Sequence, residues 1–273
     1  MSLAESIEAT KIYSICGMLP KGQALITSRP FRAPHHGASS VSIIGGGAVP
    51  RPGEISLAAH GVLFLDEMPE FHRDVLEALR QPMEDHVVTI SRASARVDFP
   101  ACFQLVGAMN PCPCGYYGDS RKQCTCTPHQ RNRYFQKISG PLLDRIDIQI
   151  EVPRVQYKEI SGRSQDEETS AVIRQRVQLA RQRQKQRFAG NPYSTNAQMG
   201  RKDLERYCQL TDDAALLLAE AFRTLGMSGR GHDRILKIAR TIADLAGTEN
   251  IALEHVAEAI QFRSLDREEF NDF

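Results

Sequence analysis

No apolar stretch in this sequence approaches the 18 or so residues that a membrane-crossing helix needs; AALLLA, Ala214 to Ala219, is typical of the longest. Charge of one sign is also lacking, since 34 basic residues meet 33 acidic ones for a net of +1. Near-neutrality removes any global argument for a nucleic-acid partner, so local clusters must carry one. The start of the chain is a mixed-charge, helix-like segment without the features of a secretory leader, and no internal repeat is evident. Cysteine is present but unevenly placed. Four of the seven fall within fifteen residues as Cys112-Pro-Cys114 and Cys124-Thr-Cys126, while Cys16, Cys102 and Cys208 are scattered. A secreted disulfide framework spreads its cysteines and leaves none over, so a reducing, cytoplasmic compartment and no membrane are expected.

What remains is an ordinary globular composition, 41% apolar and 25% charged over 273 residues, long enough for roughly two domains. Residues 4–18 have helix-forming composition and near-3.6 apolar spacing. A long Gly/Pro-rich stretch, SRPFRAPHHGASSVSIIGGGAVPRPGEISLAAH, follows and reads as a functional loop or an insertion. VLFL (62–65) reads as a buried strand and 72–84 as a helix. VVTISRASARVDFP reads as a hairpin with a polar tip, and FQLVGAMN (103–110) as a second buried strand. GPLLDRIDIQIEV reads as a short helix leading into a third strand. Strands that alternate with helices and end in polar residues predict a parallel α/β sheet. After Pro153 the chain turns helical, with amphipathic segments at 168–188, 212–225, 231–246 and 252–263, which places a boundary near 153–166.

Within GVLFLDEMPEF, a run of apolar residues leads straight into Asp66-Glu67. Two adjacent carboxylates at a strand end admit two readings. Either the strand gives way to a polar turn with both acids in water, or the pair holds a hydrated divalent cation and a water beside a phosphate. One carboxylate suffices for Mg²⁺, which keeps most of its waters. A second can orient the attacking water, and an amide such as Asn110, at the end of the other buried strand, can fix that water or the γ-phosphate.

The cysteine cluster also admits two readings. Cys112, Cys114, Cys124 and Cys126 match the count of a tetrahedral Zn²⁺ site, with His129 as an alternative fourth ligand. Their insert, CPCGYYGDSRKQCTCTPH, has too few apolar residues for a core of its own. Otherwise they are four reduced thiols on a surface loop. Arg92 and Arg96 sit at the hairpin tip, while the cation-rich helix IRQRVQLARQRQKQRF is read as a solvated face; His35-His36 could be ligands but are read as structural or without a role.

The motifs together carry a resemblance. GVLFLDE resembles the Walker B motif of AAA+ ATPases, and LVGAMNP their sensor 1 strand. GPLLDRIDIQIEV is similar to the arginine-finger segment, and SGRGHDRILKIARTIADLA to the sensor 2 helix, of the magnesium-chelatase and MCM branch. With RPFRAPHH, GGGAVPRPGEISLAAH, LRQPMED, VTISRA and AMNPCPCG, nearly the whole chain resembles the ComM/YifB group of magnesium-chelatase-like ATPases. The resemblance implies a partial AAA+ core over 1–155, truncated at its N-terminus, followed by an all-α lid over 166–265. It implies that Asp66 holds Mg²⁺ through water, Glu67 polarises the hydrolytic water and Asn110 is the sensor. Arg145 is implied as the finger reaching a neighbouring subunit's ATP, and Arg230, with Arg234 as a second candidate, as the sensor 2 arginine. It further implies a homo-oligomer, a hexameric ring, whose hairpin arginines Arg92 and Arg96 line a pore for single-stranded or branched DNA.

One family element is missing: the phosphate loop G-x-x-x-x-G-K-[ST] occurs nowhere in the chain. The chain therefore reads as a fragment that begins after that loop, with two sheet edges left unpaired and little or no ATP turnover of its own. Two other functions stay open: a chelatase motor for metal insertion into a tetrapyrrole, and a non-enzymatic zinc-stapled nucleic-acid-binding module.

Overall fold

The computed structural model, which describes residues 1–92, 95–119, 121–153, 168–191 and 193–263, opens with helix α1 (Leu3–Ile15). Ser2 caps it, its side chain accepting from the Glu5 N–H while the Glu5 carboxylate accepts from Ser2 N–H, so two otherwise orphaned donors are satisfied. The next elements are β1 (Phe31–Arg32), α2 (Ser40–Ile44), a two-residue antiparallel pair β2 (Gly45–Gly46) and β3 (Arg51–Pro52), and α3 (Glu54–Leu57). The stretch expected to be one long loop is thus built of short pieces. Its prolines disguised β1. Pro30 has no N–H to give a ladder, but its carbonyl accepts Val62 N–H at 2.9 Å, so the flanking proline costs the pairing nothing.

β4 (Val62–Leu65) lies between β1 and β7 (Gln104–Gly107), parallel to both, and this three-stranded parallel sheet is the core of the first unit, Met1–Ile146. Leu63 and Leu65 are fully buried and pack with Ile43, Ile55, Val75, Leu76, Leu79 and Leu142. Gly61 permits the approach of β4 to β1, because a Cβ there would meet the Pro30 carbonyl oxygen at 1.9 Å. The expected helix over 72–84 is present as two segments, α4 (Arg73–Ala78) and α5 (Arg80–Asp85). Pro82 explains the interruption, since it cannot donate to the Ala78 carbonyl one turn back. The hairpin β5 (Val87–Arg92) and β6 (Ala95–Pro100) pairs in register from Val87↔Pro100 to Arg92↔Ala95. After β7 come α6 (Pro128–Phe135) and α7 (Gly140–Leu143).

Two expectations for strands need correction. β7 is less buried than expected, with Gln104, Val106 and Gly107 exposed, because among the described residues it is paired only on its β4 side. Among the described residues, the alternating segment after α7 adds no strand to this sheet. Ile148, Ile150 and Val152 are exposed, and Gln149 makes a single parallel bridge to Arg263, donating to the Phe262 carbonyl at 2.7 Å. Alternation yields a strand only where a neighbouring backbone accepts a ladder of bonds.

The second unit, from Asp147 onward, is helical: α8 (Ser170–Arg187), α9 (Arg201–Tyr207), α10 (Asp212–Thr224), α11 (Gly229–Ala246) and α12 (Leu253–Gln261). α11 is its centre. Ile235, Ile238, Ala239 and Ala243 repeat at helical spacing on its buried side and meet Leu218, Ile251, Val256 and Ala259. Ser228 caps its start, and Gly247, at φ 87°, ends it with the left-handed turn that glycine adopts freely. The boundary expected near 153–166 falls almost wholly on residues outside those described.

Candidate functional site

The parallel register decides where the strand tips go. Leu65 pairs with Gly107, so Asp66 follows beside Ala108. Ala108 N–H then donates to Leu65 O, and Met68 N–H to Ala108 O, both at 2.9 Å. Asp66, Glu67 and Asn110 are accordingly all exposed at one carboxyl edge, the location at which open parallel sheets bind ligands. Exposure also explains how two adjacent carboxylates are tolerated: neither is stripped of water, and like charges in a high dielectric repel weakly.

The turn itself is tight. Glu67 takes φ 50°, ψ 44°, a left-handed conformation uncommon for a non-glycine residue. Asp66 Oδ1 accepts Glu67 N–H at 2.9 Å, and Glu67 O accepts Glu70 N–H at 2.7 Å. The chain thereby passes from strand to a short 3₁₀ turn (Met68–Glu70) within two residues. His36, four residues past β1, reaches the same edge, its Nε2 3.6 Å from Glu67 Oε2. Its ring lies 4.1 Å from that of His35 and meets Phe71 edge-on at 6.4 Å. A histidine pair expected to be structural or without a role thus includes a neighbour of the acid pair. The signal that could have found it was β1, which runs parallel to β4 and so ends at the same edge.

Asn110 is flanked by α6. Burial pushes the Tyr134 phenol up, while the Asn110 backbone N–H aimed at its oxygen acts the other way; Glu70, Cys112 and Glu67 add to the rise. Just past α6, Lys137 Nζ pairs with Glu70 Oε2 at 3.0 Å. One helix end therefore touches both strand tips.

Two residues beyond Asn110 the cysteines begin. The sulfurs of Cys112, Cys114, Cys124 and Cys126 all lie within 4.8 Å of one another. Cys112 Sγ is 3.3 Å from Cys114 Sγ and 3.7 Å from Cys124 Sγ, and Cys114 to Cys124 is 3.6 Å. A tetrahedron with Zn–S near 2.3 Å has edges of about 3.8 Å, so the cluster is close to ligand spacing. Backbone N–H groups of Tyr116 and Thr125 hold the Cys114 thiol down to about 5, whereas desolvation pushes Cys126 up to about 12 and raises Cys124. Four soft sulfurs with no oxygen donor suit zinc rather than magnesium or calcium. His129 is exposed and outside the group.

The arginines are placed as follows. The Arg145 side chain is 8% exposed, with Nη2 2.8 Å from Glu84 Oε1 and Nη1 donating to Pro141 O at 2.6 Å. Its Nε is buried without a hydrogen-bond partner. Arg96 is exposed on β6, with Nε 4.0 Å from Asp98, and the Arg92 side chain lies outside those described. In the second unit Arg230 is exposed in the first turn of α11, and Arg234 Nη1 donates to Asp147 Oδ1 at 2.9 Å. On α8, Arg176 pairs with Glu168 at 2.8 Å, Arg183 donates to the Asp244 carbonyl, and Arg187 binds the Asp244 carboxylate. Half of that helix's cations therefore make contacts within the protein instead of facing only water.

A parallel-sheet α/β unit with an acid pair at its carboxyl edge, joined to a helical unit, is the AAA+ fold in its magnesium-chelatase-like form. Sequence comparison agrees: residues 1–160 match the family Magnesium chelatase, subunit ChlI, and residues 167–263 its C-terminal family. The chain belongs to this magnesium chelatase subunit ChlI family. It is 49% identical over 239 residues to the competence protein ComM of Haemophilus influenzae, covering 88% of this chain and 46% of that protein. It is 42% identical over 267 residues to YifB of Salmonella typhimurium and to YifB of Escherichia coli, covering 98% of this chain and 51% of each. The chain spans about half the length of the curated relatives it matches. No helix among the described residues is long and apolar enough to cross a membrane.

Proposed function

We propose that this chain forms part of a ring-shaped, cytoplasmic, homo-oligomeric AAA+ ATPase that acts on DNA as a branch-migration or helicase-like motor. The observation that carries the reading is the arrival of Asp66, Glu67 and Asn110 at one carboxyl edge. The ComM relative's name adds competence, hence DNA uptake and recombination, as the setting. In this reading residues 1–155 are the ATPase core and 166–265 its lid.

Exposed carboxylates suit an ion that keeps its waters. Asp66 would hold Mg²⁺ through water, and bound Mg²⁺ would supply neutralisation of the phosphoryl charge. Glu67 orients and polarises the hydrolytic water, and Asn110 senses the terminal phosphate. Arg230 and Arg234 provide the sensor 2 cation. For the finger role, Arg145 exchanges Glu84 for the phosphate of a neighbouring subunit, a contact that suits a guanidinium's fork of donors. The chain carries no G-x-x-x-x-G-K-[ST] loop, and without that cradle little phosphate affinity is expected. The purified chain should hydrolyse almost no ATP in a phosphate-release assay; robust turnover would overturn this division of labour.

The hairpin is the DNA-facing element. Each phosphate contact contributes about −0.7 to the slope of log K against log salt on single strands. Arg92→Ala/Arg96→Ala is therefore expected to make that slope shallower by about 1.4. An unchanged slope and affinity in a fluorescence-anisotropy titration would remove the hairpin from the interface.

The four cysteines hold a structural Zn²⁺, the closed thiolate set that a small insert with little core of its own needs. That cluster also favours the second reading, a zinc-stapled nucleic-acid-binding module. Such a module binds DNA with a steep salt dependence and is indifferent to nucleotide.

A further inference from the structure

We infer that the metal held by Cys112, Cys114, Cys124 and Cys126 is a latch on the carboxyl edge: it clamps α6 against the tips of β4 and β7 and so sets the placement of Glu67 and Asn110. The inference rests on the zinc reading above and adds a regulatory consequence to it.

The path is a closed loop of contacts. β7 runs through Asn110 to Cys112, whose side chain is fully buried. At the far end of the insert, Cys126 directly precedes Thr127, the capping residue of α6, whose side chain accepts from Gln130 N–H. Arg131 of α6 reaches back to the Cys126 carbonyl at 2.9 Å, and its guanidinium lies 4.5 Å from the centre of the Tyr117 ring. One turn on, Tyr134, 5% exposed, stands against the Asn110 backbone. Lys137 then closes the circuit on Glu70, in the 3₁₀ turn that begins right after Glu67. The links of this loop are covalent or observed contacts. The weakest is the step from the Cys112/Cys114 pair to the Cys124/Cys126 pair, where reduced thiols meet only through sulfur contacts of 3.6–3.7 Å and no disulfide joins them.

A metal turns those weak contacts into bonds. Four thiols give up protons and bind one divalent ion, with no change of oxidation state. The ion closes the segment between Cys114 and Cys124 and removes the freedom of a chain with few apolar residues to hold it. Without it, α6 is tied to the two tips by an exposed ion pair, worth little by itself, and by the Tyr134 contact. Metal occupancy would then govern an edge that the metal does not touch.

The test combines metal content with hydrogen exchange on the whole chain. Zinc is measured per chain, and Co²⁺ replacement gives an optical signature of tetrahedral thiolate ligation. Exchange is then followed for 66–71, 108–111 and 130–137 before and after chelation. The expected result is one metal per chain, with exchange in those three segments at least tenfold faster after its removal. The helices α10 to α12 should be unaffected. Lys137→Ala/Tyr134→Phe should speed exchange at 66–71 while the metal stays bound. If no metal binds, the zinc reading falls. If one metal binds but its removal leaves 66–71 and 108–111 unchanged, the latch alone is overturned. Chelation of the unmodified chain avoids reliance on Cys112→Ser, which risks failing to fold.

Discussion

Asp244→Ala is expected to cost the helical unit about 3–5 kcal/mol, the range for removing one partner of a buried charge network. Asp244 is fully buried on α11. Its carboxylate accepts from Arg187 on α8, with Nη1 at 2.7 Å, and from Asn196 Nδ2 at 2.8 Å, and it lies 3.2 Å from Arg240 Nε. Arg240 is itself 2% exposed, and its guanidinium also serves the carbonyls of Thr248 and Glu249. Asp244 raises Arg187, whereas burial pushes Arg240 down and Asp244 opposes that push. Alanine leaves two guanidiniums facing each other without a counter-charge, one of them out of reach of water. Domains hold only about 5–15 kcal/mol in total, so the helical unit should melt well below the rest of the chain. Urea unfolding followed by circular dichroism measures the loss. Asp244→Asn, which keeps an oxygen acceptor but not the charge, should fall between wild type and alanine. A loss under about 1 kcal/mol for alanine would show that the network contributes little beyond its packing.

That network was not legible in the sequence, and the reason is distance along the chain: Arg187 and Asp244 are 57 positions apart, and nothing local marks either as a partner. By contrast VLFL-Asp66-Glu67 was readable, because a short apolar run that stops at two acids is the local pattern of a strand leaving a core. Leu63 and Leu65 duly lie in that core. The helices α8 and α10 to α12 were readable for the same kind of reason, a sustained 3.6 period; α9, at seven residues, was too short to register. The cysteine cluster was visible from count and spacing, although only the coordinates bring all four sulfurs together. β1 was hidden because a two-residue strand in a proline-rich stretch carries no pattern, and its extended form comes from β4 rather than from itself. With β1 hidden, His36 could not be placed next to Glu67. The segment 146–152 failed in the opposite way, having the alternation of a strand but no backbone ladder among the described residues.

Glu67→Gly should move stability and activity in opposite directions. At φ 50°, ψ 44° a side chain pays roughly 1–2 kcal/mol that glycine does not, offset by about 0.5–1 kcal/mol for glycine's freer unfolded chain. The contact to His36 at 3.6 Å joins two exposed groups and contributes little. The net is a gain of about 0.5–1 kcal/mol in thermal unfolding. Glu67→Ala separates backbone from side chain, since it removes the carboxylate but keeps the Cβ in the left-handed turn, and it should be less stable than the glycine variant by roughly 1 kcal/mol. In an assembly that supplies the phosphate loop, both variants should lose about 10²–10⁴-fold in ATP hydrolysis, the usual contribution of a positioned proton acceptor. Equal stability of the two variants would mean that the turn stores no strain. Full turnover by either would mean that the carboxylate is held at this edge for something other than hydrolysis.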